Sequence, residues 1–497
     1  MTAFGGSVAI EPHRREPEFE LRASHLYDVA RSSPNNDRRW QYAQDLSAAE
    51  SHSPEMRRII RNRARYEVAN NSFATGLVAG LASDVVGIGP RLQISTGDPA
   101  ADAAIEAEWE AWADETGLGD TLQTSVHASI EVGEAFWRFF DEPDNETVSL
   151  GFDLIEADRV AGEYIDGLND PGDGITYTRT GRPVSYNVLS EHPGAGVVPT
   201  YSTKIQAGAI VHLFRQTRPG QLRGVSELAP ALSAMAELRA YQRAVLLASE
   251  VAASQAMVIQ KPGPVDDEGD AVSPLDVVDF EYASATTLPE GWQISGFSPT
   301  QPTANHPQYV RSQIVYIARC LNVPANIALG DSSGFNYASG RLDHQTYELV
   351  LASRRKRLET RLLDSLLARW LRMAVRNPAS PVTREMAEAG RRVAHEWLWR
   401  NRGHVDPSKE IAAAIGRMDA GLSNRSIECG VLGRDWEAVA DQAAREKATI
   451  AEINERYGGE SQSPAKPKPE PEPKDEGDNA EAEGSEPKDD GESEGRE

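Results

Sequence analysis

One long apolar stripe, interrupted by an acidic insert, constrains this chain more than any other feature. From Val225 to Val258, Leu228, Leu232, Met235, Leu238, Tyr241, Val245, Leu246 and Ala252 recur at helical spacing. The spacing predicts one long, alanine-rich helix, a composition that favours helix and close packing. Pro262-Gly263-Pro264 ends it, residues 265–303 read as short strand-like pieces, and a second helix is predicted over His306–Leu321, stopped before Pro324. Between Lys261 and Arg311 there is no Lys or Arg, while Asp266, Asp267, Glu268, Asp270, Asp276, Asp279, Glu281 and Glu290 are all acidic. Two readings of that segment are open: an acidic surface hairpin, or a surface meant not to stick to a polyanion.

The segments around this core alternate in period. Ser53 as N-cap and Pro54 at the first helical position open a helix predicted to run unbroken to Gly87. Further helices are expected over Asp98–Asp114 and Leu122–Gly133. The period then falls to two over Ala135–Phe140, Ser149–Ile155, Ile175–Tyr177, Val184–Leu189 and Ile210–Phe214, which read as strands. A helical layer followed by a mostly antiparallel sheet makes an α+β fold. Residues 324–340 are rich in Gly and Ser and read as a loop. A long helix is expected over Arg341–Arg376, then shorter helices over 380–457, broken at Gly403, Gly421 and Gly430.

Charge and cysteine usage exclude whole classes. The 497 residues carry 51 Lys and Arg against 76 Asp and Glu, a net charge of −25. A protein that coats DNA electrostatically carries a basic surplus, so that class is excluded, as is docking on an acidic membrane. Residues 458–497 hold 14 acids and 5 bases with almost no apolar side chain, and are expected to be disordered. Cys320 and Cys429 cannot build a disulfide framework or a cysteine zinc site. The N-terminus lacks the apolar core of a signal peptide, and Phe73–Ile88 is too short for a membrane span and contains Asp84. These features predict a soluble protein retained in a cytoplasm.

A search for chemistry finds none, so no catalytic residue, metal ligand or cofactor is expected. There is no GxxxxGK[ST], no strand–GxGxxG–helix and no GxSxG. His395-Glu396-Trp397-Leu398-Trp399 starts like a zincin helix, but Trp399 stands where the second His is needed, which leaves a surface helix. Two basic runs, Arg57 to Arg65 and Arg354-Arg355-Lys356-Arg357, could contact phosphate, but a solvated face or ion pairing between subunits is the expected role. A chain this long without a catalytic constellation reads as structural.

The residues also resemble a known family. Leu26–Ala30, Arg61-Asn62-Arg63-Ala64-Arg65, Val85–Pro90, Leu154–Arg159, Gly181–Tyr186, His212–Phe214, Arg218–Val225, Gly296–Pro299, Ile317–Pro324 and Asn336–Arg341 occur in the order and spacing of lambda-type portal proteins of tailed bacteriophages. Ala338 departs from the serine expected there. The resemblance implies a ring, usually dodecameric, at one vertex of the phage head, through which double-stranded DNA enters and leaves without sequence specificity. It implies as partners the terminase large subunit, head-completion and tail connector proteins and the major capsid protein, with no membrane. It places the protein in the virion after assembly in the host bacterial cytoplasm.

The family's parts would fall on these segments as follows. Residues 1–20 form a flexible arm, 21–224 the wing, 225–258 the first stem helix, 259–305 the acidic clip and 306–323 the second stem helix. Residues 324–340 would be the tunnel loop, 341–379 a wing helix, 380–457 a crown-like helical region and 458–497 the acidic tail. Asp331, Ser332, Ser333, Phe335, Asn336 and Tyr337 would face the channel. Asp266, Asp267, Glu268, Asp270, Asp276, Asp279 and Glu281 would form the clip surface. Alternatives for such a chain are a packaging enzyme, or a capsid-associated protease or scaffold, of the same phage module.

Overall fold

A computed structural model describes residues 38–162, 173–196, 201–254, 257–260, 293–296, 305–334, 337–400, 407–432, 434 and 436–457. The expected N-terminal arm, the acidic tail and the break at Gly403 lie outside the described residues. The chain divides into two units: residues up to 407 with 431–433, and residues 408–430 with 434–497.

The first unit opens with α1 (Ala48–Ser51), closed by a reciprocal cap between Ser47 and Glu50. Helices α2 (Pro54–Asn70) and α3 (Ser72–Val86) follow. The helix expected to run unbroken from 54 to 86 is therefore two. Asn71 adopts an extended backbone, and its side chain accepts from the backbone N–H of Phe73 and Ala74, so it ends one helix and caps the next. Ser53 caps α2 as expected, and Gly87 ends α3 with a positive φ of 58°.

Strand β1 (Arg91–Ile94), α4 (Pro99–Glu115) and α5 (Leu118–Glu131) complete the helical layer. Strands β2 (Glu134–Asp141), β3 (Leu150–Ile155), β4 (Ile175–Tyr177), β5 (Pro183–Leu189), β6 (Ser202–Gln206) and β7 (Ile210–Phe214) build two small antiparallel sheets, ordered β3-β2-β7 and β4-β5-β6. The strands expected from the period-two segments are all present. Strands β1 and β6 add to them.

Helix α6 spans Leu232–Ser254, shorter than the 225–258 expected, because a 3-10 turn holds Ala229–Ala231 and strand β8 takes Met257–Gln260. Strand β9 (Gln293–Gly296) pairs antiparallel with β8, so Gln260 and Gln293 stand opposite each other. The acidic segment thus leaves and re-enters the fold at one place. Helix α7 (His306–Ala318) runs on into a 3-10 turn over Arg319–Leu321, and Asn322 turns the chain with a positive φ of 57°. The short α8 (Ala325–Leu329) and α9 (Tyr337–Leu358) occupy both ends of the segment expected to be loop, which leaves only 330–336 between helices. A π turn over Glu359–Leu363 joins α9 to α10 (Asp364–Ala374).

After α11 (Arg384–Ala389), His395–Leu398 forms β10, paired antiparallel with β1. The surface helix expected there is a strand. Alternation decides it: Trp397 points into the core, while Glu396 is exposed. Trp109 of α4 meets Trp112, Trp370 and Trp397 at ring-centroid distances of 5.1, 5.4 and 5.5 Å, and this group ties α4, α10 and β10 together. Residues 384–398 therefore pack with the first unit.

Apart from the end residues Pro407 and Val431, the helices α12 (Pro407–Asp419), α13 (Arg425–Val431) and α14 (Trp436–Tyr457) belong to the described part of the second unit. Gly421, with a φ of 69°, separates α12 from α13 as expected, and Gly430 is the penultimate residue of α13, which ends at Val431 before α14 begins at Trp436. Arg417 holds Glu428 with two parallel bonds of 2.9 and 2.7 Å. Among the described residues, no helix is long and apolar enough to cross a membrane.

Candidate channel loop and a buried charge cluster

The loop after α8 begins at Gly330, whose φ of 63° reverses the chain. The Asp331 carboxylate accepts from the Ser333 backbone N–H at 2.9 Å and from Arg311 Nη1 at 3.1 Å. Arg311 belongs to α7, so this contact pins the root of the loop to that helix. Hydrogen bonds from Ser333, and then the Arg311 charge, hold the Asp331 carboxyl below its usual value. Ser332, Ser333 and Gly334 are exposed. Asp331, Ser332 and Ser333 are thus neighbours at one turn. Phe335 and Asn336 lie outside the described residues, and Tyr337 is the first residue of α9. Asp266, Asp267, Glu268, Asp270, Asp276, Asp279 and Glu281 also lie outside them.

The first basic run has a role that its sequence did not suggest. Arg57, Arg61 and Arg65 share one face of α2 at a spacing of four, and each meets a carboxylate of its own chain. Arg57 binds Asp173. Arg61 Nε lies 3.1 Å from Asp158 Oδ1, and Arg65 Nη2 lies 2.7 Å from Asp158 Oδ2. Arg57 and Arg61 also stand 3.7 Å from Glu134 Oε1. Arg57 and Arg61 are buried, so they form neither a solvated face nor a phosphate contact, whereas Arg58 and Arg63 of the same run are exposed, as a solvated face requires.

Glu134 is the centre of this cluster. Arg223 grips it with Nη2 to Oε1 at 2.6 Å and Nε to Oε2 at 2.9 Å. The Gly224 N–H donates to Oε2 at 2.9 Å, and His212 Nε2 lies 3.0 Å from the same oxygen. Burial alone would raise the Glu134 carboxyl, but the Arg223 charge and the hydrogen bonds from His212 and Arg223 win and hold it well below the usual range. For Arg223 the balance is reversed: burial opposes its charge, and Glu134 outweighs burial and raises it. His212 is stacked between Phe136 and Phe214, at 4.2 and 4.4 Å, and burial pushes its imidazole down despite Glu134. Burial lifts the Tyr186 hydroxyl, which stands over Phe136, to about 12.

Three of the four residues of the second basic run are also taken up within the chain. Arg354 holds Glu227 through two bonds of 3.0 and 2.7 Å. Arg355 donates to the Val85 carbonyl at 2.9 Å and the Asp84 carbonyl at 3.0 Å, satisfying the open C-terminal end of α3, and lies over the Trp399 ring. Lys356 pairs with Glu359 at 2.8 Å. Sequence reasoning missed the partners Glu134, Asp158, Asp173 and Glu227, which come from distant strands and loops. Asp158 and Arg223 do stand inside the stretches that carry the family resemblance. Among the described residues, no group of His, Cys, Asp and Glu is arranged to hold a metal ion.

Comparison with known proteins places these elements in a family. A family model described as "Phage portal protein, lambda family" matches residues 34–355, from before α1 to near the end of α9. The chain is 21% identical over 471 residues to the "Probable portal protein" of Halomonas phage phiHAP-1, covering 88% of this chain and 89% of that one. It is 23% identical over 451 residues to "Portal protein B" of Escherichia phage lambda, covering 78% and 83%. A chain in the virion of a native gene transfer agent particle is similar in structure with a TM-score of 0.45 and 14% identity, over 75% of this chain and 92% of that one. The matched span takes in the charge cluster, both helices that flank the acidic segment, and the loop at Asp331. The chain belongs to the lambda family of phage portal proteins and has its structural portal role.

Proposed function

We propose that copies of this chain close into a ring, a dodecamer, at the DNA-entry vertex of a tailed phage head. Double-stranded DNA passes through its channel during packaging and ejection, without sequence-specific contacts. The observation that carries the ring is the apolar surface that a single chain leaves open on its stem and channel helices. Leu246 and Leu247 on α6 are 60% and 51% exposed, and Leu342 and Leu349 on α9 are 64% and 74% exposed. Leu342 and Leu349 are seven residues apart, two turns along one side of α9. A heterologous contact repeated by rotation would cover such surface in every subunit of a closed ring.

In this reading α6 and α7 are the stem, residues 259–305 the clip and residues 330–336 the tunnel loop. The wing takes 21–224, 341–379 and, through the pairing of β10 with β1, 380–400, which leaves the crown 408–457 rather than the 380–457 expected. Asp331, Ser332, Ser333, Phe335, Asn336 and Tyr337 border the channel. Uncharged hydroxyls there steady a duplex without the cumulative phosphate affinity that would stall it. The acids of the clip meet the terminase large subunit and, after packaging, the head-completion and tail connector proteins. The wing meets the major capsid protein. Assembly takes place in the host bacterial cytoplasm and the ring ends in the virion. The protein is not an enzyme; energy for DNA movement comes from the terminase. An ATPase assay of the purified chain with divalent metal tests this last part. Background turnover is expected, and robust DNA-independent hydrolysis would contradict the reading.

A further inference from the structure

Three arginines, Arg215, Arg354 and Arg357, line one cleft together with the Glu227 carboxylate, and Arg361 lies close enough to Arg357 for their charges to repel. Glu227 is fully engaged: Oε1 accepts from Arg354 Nη1 at 3.0 Å, and Oε2 accepts from Arg354 Nη2 at 2.7 Å and Arg215 Nη1 at 3.2 Å. The Arg357 guanidinium makes no hydrogen bond or close ion pair among the described residues. It is half-buried in the wall of a half-open cleft that Ser129, Phe214, Arg215, Glu227 and Arg354 also line. Burial, and then Arg215, hold its guanidinium below the usual arginine range. The π turn over Glu359–Leu363 starts two residues later and carries Arg361, and such turns recur at functional sites.

This cluster holds a local surplus of three positive charges in a chain of net charge −25. A carboxylate offers two oxygens and one charge, and one is already present. A phosphate group offers tetrahedral oxygens that can meet two planar guanidinium forks at once, with more charge to offset the surplus. We propose that the cleft binds a phosphate group, bridged by Arg215 and Arg357, with Arg361 at its rim. Arg215 spends only one donor on Glu227, so its remaining donors are open to that ligand. The group could be free inorganic phosphate or a backbone phosphate of duplex DNA, and both present the same chemistry to the cleft. This goes beyond the portal reading and does not require a ring.

The test is thermal unfolding of the purified full chain in millimolar inorganic phosphate, against chloride at equal ionic strength. Phosphate is expected to raise the midpoint by roughly 2–4 °C over chloride. Arg357→Gln is expected to abolish that shift. Arg361→Gln, at an exposed position, is expected to reduce it, and it keeps the test valid if the first variant fails to fold. A short duplex, titrated by fluorescence anisotropy, separates the sources. If the backbone is the ligand, duplex binding falls at least several-fold in both variants, and inorganic phosphate gives the smaller effect. The proposal is overturned if neither phosphate nor duplex exceeds chloride, or if both variants respond like the unsubstituted chain.

Discussion

Arg223 and Glu134 form a bidentate ion pair, 2.6 and 2.9 Å across its two bonds, with both side chains buried. Glu134 is the first residue of β2, and Arg223 lies beyond β7, 89 positions later. The pair joins the end of the helical layer to the loop that leads into α6. Glu134→Ala strands a buried guanidinium, and breaking a buried pair in this way costs about 3–5 kcal/mol. Urea unfolding followed by tryptophan fluorescence should report that loss. An unchanged midpoint would mean that the cluster does not hold the wing together.

Acid should weaken the same cluster in two stages. His212 is held below its usual 6.5, so the fold prefers the neutral ring. Its contribution is full above about pH 6.5 and is lost as pH falls toward the lowered value. Glu134 is held well below 4.5 and Asp158 below 3.8, so their contributions are full above those values and disappear as pH falls through the lowered ones. Unfolding midpoints should be flat above pH 7, decline below 6.5 and fall more steeply below 4.5. His212→Asn should flatten the upper stage and leave the lower one. A midpoint that rises toward pH 5 would contradict this assignment.

Two glycines beside the pair admit no side chain. Gly133 has a φ of 99°, and a Cβ there would overlap the Val225 backbone. A Cβ on Gly224 would overlap the Gly133 carbonyl oxygen. Gly133→Ala and Gly224→Ala should each cost more than about 2 kcal/mol, through overlap that backbone on both sides cannot relieve. Circular-dichroism melts compared with Gly208→Ala, which meets nothing within 4 Å, would separate this from a general glycine effect.

Much of this architecture was legible in the sequence, and the gaps have physical causes. Periodicity located the helices and the five strands it marked because each has one buried face. It could not find Asn71, where a side-chain cap splits a continuous pattern, or the short edge strands β1 and β10, whose pairing joins positions about 300 residues apart. The arginine runs looked like surface features because their carboxylates come from distant strands and loops. The Asp331–Ser333 turn was marked by Gly330 and its polar composition, whereas its anchor on Arg311 depends on tertiary contact.

The acidic segment gives a prediction about partners. Asp266, Asp267 and Glu268 replaced together by Lys should leave ring formation intact and reduce DNA packaging at least several-fold, because the packaging motor would then meet a surface of reversed charge. Packaging at the unsubstituted level would remove the clip from that role.

The central claim is that many copies of this chain form one closed ring. Negative-stain electron microscopy of the purified full chain tests it most directly, with Leu246→Asp and Leu349→Asp as paired variants. Rings with a central hole are expected for the unsubstituted chain, and their loss when charge is placed on the exposed apolar surface of α6 and α9. Monomers under every condition would contradict it, and rings indifferent to both substitutions would contradict the assignment of the subunit contact to α6 and α9.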